Sequence, residues 1–276
     1  MGPHRAQFGG AIALSAGLLA LVAAGGAAAG PWTQDEGHGQ LILQAGPYRS
    51  EVNGTDDRGR TTGIGKLYRG EAGAYWEHGL SPRWTVGLAP RLQAAWLDDR
   101  VNHRTTASQG LAELGGFARY RIYKGDYDVL SVQGTVTTPG IANDSNRLRI
   151  AEPQTSLAMS LAYGIGLPLS RGMSAFAAFE AGYRYRPGTA ADELRLDATL
   201  GFRPIPRWML IAQSFSTLGM RNNRPNGADY SVNKVQFSVV HELTERHSVA
   251  VGYLREIDGR RAALGQTVFG SLWYRY

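Results

Sequence analysis

The chain contains no cysteine. That excludes a disulfide-stapled scaffold, thiolate metal sites and a cysteine nucleophile. Lysine is scarce, with only Lys66, Lys124 and Lys234, so arginine carries most of the formal charge of +6. There is no Gly-rich phosphate loop. After residue 29 no apolar run reaches the ~18 residues that a membrane helix requires. If the remaining chain crosses a bilayer, it must do so as a closed barrel, in which every backbone donor and acceptor is paired.

The first 29 residues form a separate unit. Arg5 gives a positive start, an apolar run extends from Ala11 to Ala24, and small residues close it at Ala27-Ala28-Ala29. This is the three-part layout of a secretory signal peptide. The cut is expected after Ala29, because Pro31 cannot follow a cleaved bond directly. Residues 30–276 are then the mature chain, with 30–38 as a short periplasmic extension before the first strand. Removing Arg5 lowers the charge from +6 to +5. In an exported protein that excess suits anionic lipopolysaccharide, since guanidinium matches phosphate bidentately; nucleic acid is not an expected partner.

The mature chain alternates with a period of two, the pattern of strands. Trp84, Val86, Leu88, Pro90, Leu92, Ala94 and Trp96 share one face. From one Trp to the other is about 40 Å along a strand, enough at barrel tilt for the apolar band and its girdles. Pro90 removes a ladder donor, so a bulge is expected there. Similar apolar rows run through Ala112, Leu114, Gly116, Ala118, Tyr120 and Ile122, through Leu157 to Leu167, through Met173 to Tyr185, and through Leu194 to Phe202. Over Trp208–Leu218 neither row is clearly apolar.

Short connections fall at 79–83, 123–126, 168–172, 204–207 and 243–246. Longer polar ones fall at 49–65, 98–108, 138–153, 186–191, 219–230 and 257–264. Short and long alternate strictly, as in outer-membrane barrels with short periplasmic turns and longer external loops. The expected fold is all-β: a single transmembrane antiparallel up-and-down barrel of about 12 strands, with both termini on the periplasmic side. Aromatic rings fall into two belts that suit the headgroup levels. Trp76, Trp84, Tyr120, Phe202, Trp208, Tyr274 and Tyr276 lie near short turns or the chain end, and Trp96, Tyr183 and Tyr185 near long loops.

Val268 through Tyr276 ends on an aromatic, with Tyr274, Leu272, Gly270 and Val268 on its face. This resembles the C-terminal signal by which the barrel-assembly machinery recognises bacterial outer-membrane proteins, and implies that machinery as a partner during insertion. The segment from Glu71 to Val86, EAGAYWEHGLSPRWTV, resembles the hairpin E-x-x-x-Y-x-E-Y-G-L-T-D-R-x-T-L. That hairpin occurs in a group of proteobacterial outer-membrane proteins labelled transporter-like or XagA-like. Trp32-Thr33-Gln34 followed by Gly37-His38-Gly39-Gln40 is similar to the start of the same group. Here His78 replaces the usual aromatic and Ser81-Pro82 occupies the turn. The resemblance implies a barrel and carries no catalytic residues.

Catalysis has one candidate position. A lipid hydrolase needs a hydroxyl within hydrogen-bond reach of a base that a third group orients. Only His103 sits in an external loop, with Ser108 after it and Asp98 and Asp99 before it. A solvated loop histidine is the expected reading, and no catalytic residue is assigned. Asp98, Asp99 and His103, or Asn53-Gly54-Thr55-Asp56-Asp57, offer too few oxygen ligands for a hard cation. No metal or cofactor is expected.

The residues opposite the apolar rows carry charges of both signs. By alternation the inward row holds Glu71, Tyr75 and Glu77; Arg91 and Gln93; Glu113, Arg119 and Arg121; Glu180 and Arg184; Glu193, Arg195, Asp197 and Arg203; and Lys234 and Gln236. Buried charges must be paired or hydrated. A barrel of this size is narrower than open porins, so a filled or narrow lumen is expected. The functional expectation is a narrow channel, or a transporter-like protein, for small polar solutes. A structural barrel whose loops touch lipopolysaccharide or polysaccharide is the alternative, and an outer-membrane lipid hydrolase a third.

Overall fold

The computed structural model describes residues 30–276 except 56–60, 101–102, 144–147, 149, 153, 170–171, 189, 221–229 and 261. The expected signal peptide and the Asp56-Asp57 pair lie outside the described residues. Twelve antiparallel strands follow one another in chain order, and the last closes on the first. They are β1 (Gly39–Thr55), β2 (Thr61–Ser81), β3 (Trp84–Asp99), β4 (Arg104–Lys124), β5 (Asp128–Asn143), β6 (Ser156–Pro168), β7 (Ser174–Tyr185), β8 (Asp192–Ile205), β9 (Trp208–Met220), β10 (Ser231–Glu242), β11 (His247–Arg260) and β12 (Gly265–Arg275). Closure sets Leu41 opposite Tyr274 and Leu43 opposite Leu272, so no edge is left unpaired.

Alternation decides which face each side chain takes. Along β3 the exposed or half-exposed residues are Trp84, Val86, Leu88, Pro90, Leu92, Ala94 and Trp96, and the residues between them are buried. The outer face is a continuous apolar band, with Met159 67% and Val251 64% exposed. A band this wide is a lipid-contacting surface, since water-soluble monomers do not expose contiguous apolar patches of that size.

The irregularity expected at Pro90 lies one residue further on. Arg91 faces Glu113 while Leu92 faces Leu111, which leaves Ala112 without an opposite number on β3. Ala112 was expected on the outer row; as the extra residue of the bulge it is fully buried instead. The long connections are also shorter than the polarity of the sequence implies. Glu51 pairs with Lys66, Val52 with Gly65 and Asn53 with Ile64, so the β1–β2 ladder continues to Thr55. Ladder hydrogen bonds require no apolar face, and strands can therefore run on beyond the lipid.

The segment Trp208–Leu218 was ambiguous because its inward row is itself partly apolar. Met209, Ile211 and Phe215 point inside, while Ser214 and Ser216 face outward. Met209 and Ile211 join Ile42, Val240, Ala250 and Trp273 in a cluster inside the barrel. The interior thus combines an apolar core on one wall with charged walls elsewhere.

Candidate functional site in the barrel lumen

Two segments outside the strands fold into the lumen, one from each end. From the end with short turns, residues 30–36 enter as a strap. The expected periplasmic extension at 30–38 therefore starts inside the barrel. The strap is tied by its backbone. The Pro31 carbonyl accepts from Ser131 Oγ at 2.5 Å, and the Trp32 carbonyl accepts from Arg119 Nη1 at 3.0 Å. The Gln34 amide donates to Thr85 Oγ1 at 2.9 Å, and its side-chain amide to Glu77 Oε1 at 2.5 Å. The Trp32 ring stands edge-on to Phe176, with centroids 5.6 Å apart. Gly164 makes room for it: a Cβ there would lie 2.5 Å from Pro31 Cγ and 2.8 Å from the Trp32 ring.

Glu77 is the anchor beneath the strap. It is fully buried and accepts from Gln40 at 2.7 Å, Tyr75 at 2.7 Å and Arg119 at 3.2 Å. Arg119 also donates twice to Gln133 Oε1, at 3.1 and 2.9 Å. Arg121, nearer the mouth, reaches Thr33 Oγ1 at 3.2 Å. Arg203 pairs with Glu242 at 2.8 Å close to the same mouth.

From the other end, part of the β5–β6 connection turns inward. The sequence places 138–153 as an external polar loop; instead β5 runs to Asn143, and Leu148, Ile150 and Glu152 are buried. Leu148 and Ile150 cluster with Leu67, Ala95 and Leu97 on the inner wall. Their apolar side chains explain the inversion, since the lumen offers a dry surface that the outside does not. Glu152 donates its amide to the Ala112 carbonyl at 2.8 Å and accepts from the Gly140 amide at 3.1 Å. The bulge at Ala112 thus supplies a free carbonyl for docking this segment.

Around Glu152 lies a compact ion network. Arg184 stands 3.8 Å from both Glu152 and Glu193, and donates Nε to Ser156 at 2.7 Å. Arg186 meets Glu193 at 3.2 Å, and Arg195 meets it at 2.5 Å. The Tyr230 hydroxyl donates to the same carboxylate. On the opposite wall Arg69 pairs with Glu71 at 3.1 Å, Gln93 donates to Glu71 at 3.2 Å, and Arg91 lies 3.4 Å from Glu113. Lys234 pairs with Glu256 at 3.0 Å. Such pairs add little net stability, but removing one partner strands a buried charge at a cost of roughly 3–5 kcal/mol.

Between strap and network remains a cavity of about 220 Å³. Gly30 and Pro31 border it, with the carboxylates of Glu113, Glu180 and Asp197, the guanidiniums of Arg119, Arg184 and Arg195, and a set of Thr and Gln side chains. Gln213 donates to Thr199 at 3.1 Å on this wall, and Gln236 to Gln213 at 2.8 Å.

Every residue of the alternation-derived inward row faces the interior, but the row is not one open lining. Its members divide among the strap anchor, the mouth beside it, separate ion pairs along the walls, the upper network and the cavity. The ring set lies on the outer face. Trp76 Nε1 donates to the Tyr276 hydroxyl at 2.9 Å, Trp84 packs against Tyr120 at 4.9 Å, and Trp208 packs against His241 at 4.3 Å. Alternation missed Arg69, Arg186, Tyr230, Glu256, the strap and Glu152. Arg186 and Glu152 lie outside strands, where a period of two carries no information. Arg69 and Glu256 could have been found, because they share a face with Glu71 and Leu254.

The loop around His103 does not assemble catalytic or metal geometry. Asp98 and Asp99 are consecutive in β3 and point to opposite faces. His103 is exposed in the following turn with φ of 47°. Ser108 is buried and donates its hydroxyl to the Leu148 carbonyl at 2.6 Å. No cluster of metal-ligating side chains occurs among the described residues.

No family profile matches the chain. No curated protein matches it in sequence either. Its fold is similar to that of an outer-membrane channel from Pseudomonas putida F1, with a TM-score of 0.63 over 89% of this chain and 98% of that one at 12% identity. It is also similar to the translocator domain of the autotransporter NalP from Neisseria meningitidis, with 0.52 over 88% and 90% at 10% identity. The NanC porin gives 0.51 over 84% and 98% at 8% identity. The chain therefore has the fold of outer-membrane channels and porins.

Proposed function

We propose that the protein is a narrow channel of the bacterial outer membrane for small polar solutes, closed at rest by its own inward segments. The reading rests chiefly on the polar cavity held between the strap and the Glu152 segment. A barrel built only for structure has no need to keep a polar chamber between two separately anchored plugs. The mixed charge of the walls suits small polar or weakly charged solutes, and the similarity to channel folds supports the same reading. Short turns would then face the periplasm and the Glu152 segment the outside. Arg49 and Arg255 point outward beside Tyr68 and Tyr253, at the level where lipopolysaccharide phosphates would lie.

Planar bilayers test this directly. The parent protein is expected to show rare, small openings, and a form lacking residues 30–36 stable ion-conducting ones. A silent membrane with the shortened form, in protein whose folded state is verified by heat-modifiable gel mobility, would sink the channel.

A further inference from the structure

The outer face carries a feature that the lumen does not explain. Near the mouth at the long connections, Trp96, Tyr68, Arg49, Gln266 and Arg255 follow one another as register partners across β3, β2, β1, β12 and β11. All five point outward, and both arginines are exposed. Gln266 turns its amide oxygen to Arg49, accepting from Nε at 2.8 Å and Nη2 at 2.6 Å, and donates to the Tyr253 hydroxyl at 2.7 Å. That holds a guanidinium in place without neutralising it. Among the described residues neither Arg49 nor Arg255 makes an ion pair. Glu51, Asp98 and Asp258 lie nearer the rim and have their own partners. Lys66 is the register partner of both Glu51 and Asp98, and Asp258 accepts from Asn233 at 3.3 Å. Two cations thus stand without an anionic partner at the edge of the lipid-facing band, where an unpaired charge is costly.

Below them the wall becomes shallow. Gly70 lies between Pro47 and Ala94 in the next row, and a Cβ added to it would meet nothing within 4 Å. In the row after that, Leu92, Ala72, Ala45 and Gly270 are register partners. They border an apolar groove of about 600 Å³ that continues to Leu43 and Leu272. From Arg49 to Leu43 is about 20 Å along the strand, on the scale of a fatty acyl chain. We propose that this surface binds a molecule of lipopolysaccharide, with a lipid A phosphate held between Arg49 and Arg255 and an acyl chain laid in the groove beneath. Guanidinium donors match phosphate oxygens bidentately. The ligand must be anionic at one end and apolar along its length, because the arginine pair and the groove are continuous. Lipopolysaccharide is the source because the pair lies at the mouth with the long connections, which face the outer leaflet in such barrels. The inference takes only this orientation from the channel reading.

Titrating the purified protein in detergent with bisphosphorylated lipid A tests it. The parent should bind at least about tenfold more tightly than Arg49→Gln/Arg255→Gln, the loss expected when charge-assisted hydrogen bonds to phosphate are removed. Equal affinities overturn the proposal, as does equal binding of dephosphorylated lipid A by the parent. If the double variant lacks heat-modifiable mobility, Arg49→Gln alone replaces it, with an intermediate affinity expected and the parent affinity overturning. Gly70→Phe, which fills space the structure leaves open, should weaken binding several-fold in a barrel that still folds; the parent affinity would overturn the acyl seat. Phosphatidylglycerol bound as tightly as lipid A would overturn the assignment to lipopolysaccharide. Binding reads the lipid site alone. Silence of the form lacking 30–36 would remove the channel and leave the lipid site standing, while conduction with equal affinities would remove the lipid site only.

Discussion

Arg119 shows how much one side chain carries. It touches the Trp32 carbonyl, Glu77, Gln133 and Tyr75, and so links three strands to the strap. Arg119→Met would leave Glu77 charged without its cation, a loss of roughly 3–5 kcal/mol. Arg119→Met combined with Glu77→Gln should be the milder lesion, because no charge is stranded. Temperatures of the heat-modifiable transition for the two variants decide it; a double variant as unstable as the single one contradicts the account. At this scale the sequence was partly legible. Strand parity places Glu77 and Arg119 inside, but it cannot say that they meet. They lie on β2 and β4, which are not neighbours, and their contact depends on barrel curvature.

The strap and the Glu152 segment are elements without regular secondary structure, and this is why the sequence concealed them. Their polar, Pro- and Gly-containing composition reads as solvated chain. The strand framework was readable because lipid on one side and charge on the other impose a strict period of two. Where both faces are mixed, as on β9, that signal vanishes. The seat of the strap can be tested at Gly164. Replacing it with valine puts side-chain atoms where Pro31 and Trp32 now lie. Gly164→Val should expel the strap and raise open probability in bilayers several-fold, while the barrel still folds. Conductance unchanged from the parent would mean that Gly164 does not seat the strap.

At the scale of the molecule, the Glu152 plug should respond to acidity. Burial raises the Glu152 carboxyl above its usual range, against the lowering pull of Arg184 and Arg186. The inserted segment thus binds a proton more tightly than a released one, whose carboxyl would titrate at about 4.3. Acidifying the external side from neutral toward about pH 4 should therefore favour insertion and lower open probability. Glu152→Gln should flatten that dependence. Openings that become more frequent in acid would contradict the assignment.

Strand length is uneven around the ring. β2 and β4 have 21 residues each, while β7 and β10 have 12 and β12 has 11. Along the strand direction that is about 70 Å against about 40 Å. Since the short turns keep one end level, the excess is all at the other. The mouth at the long connections is therefore a sloping parapet, high over β1–β4 and low over β6–β12. The Glu152 segment is moored to the high side through Ser108 and Ala112, and leans toward Arg184 on the low side. On the proposed channel reading, the low side is the shorter way over the rim, and the tall wall stands opposite it.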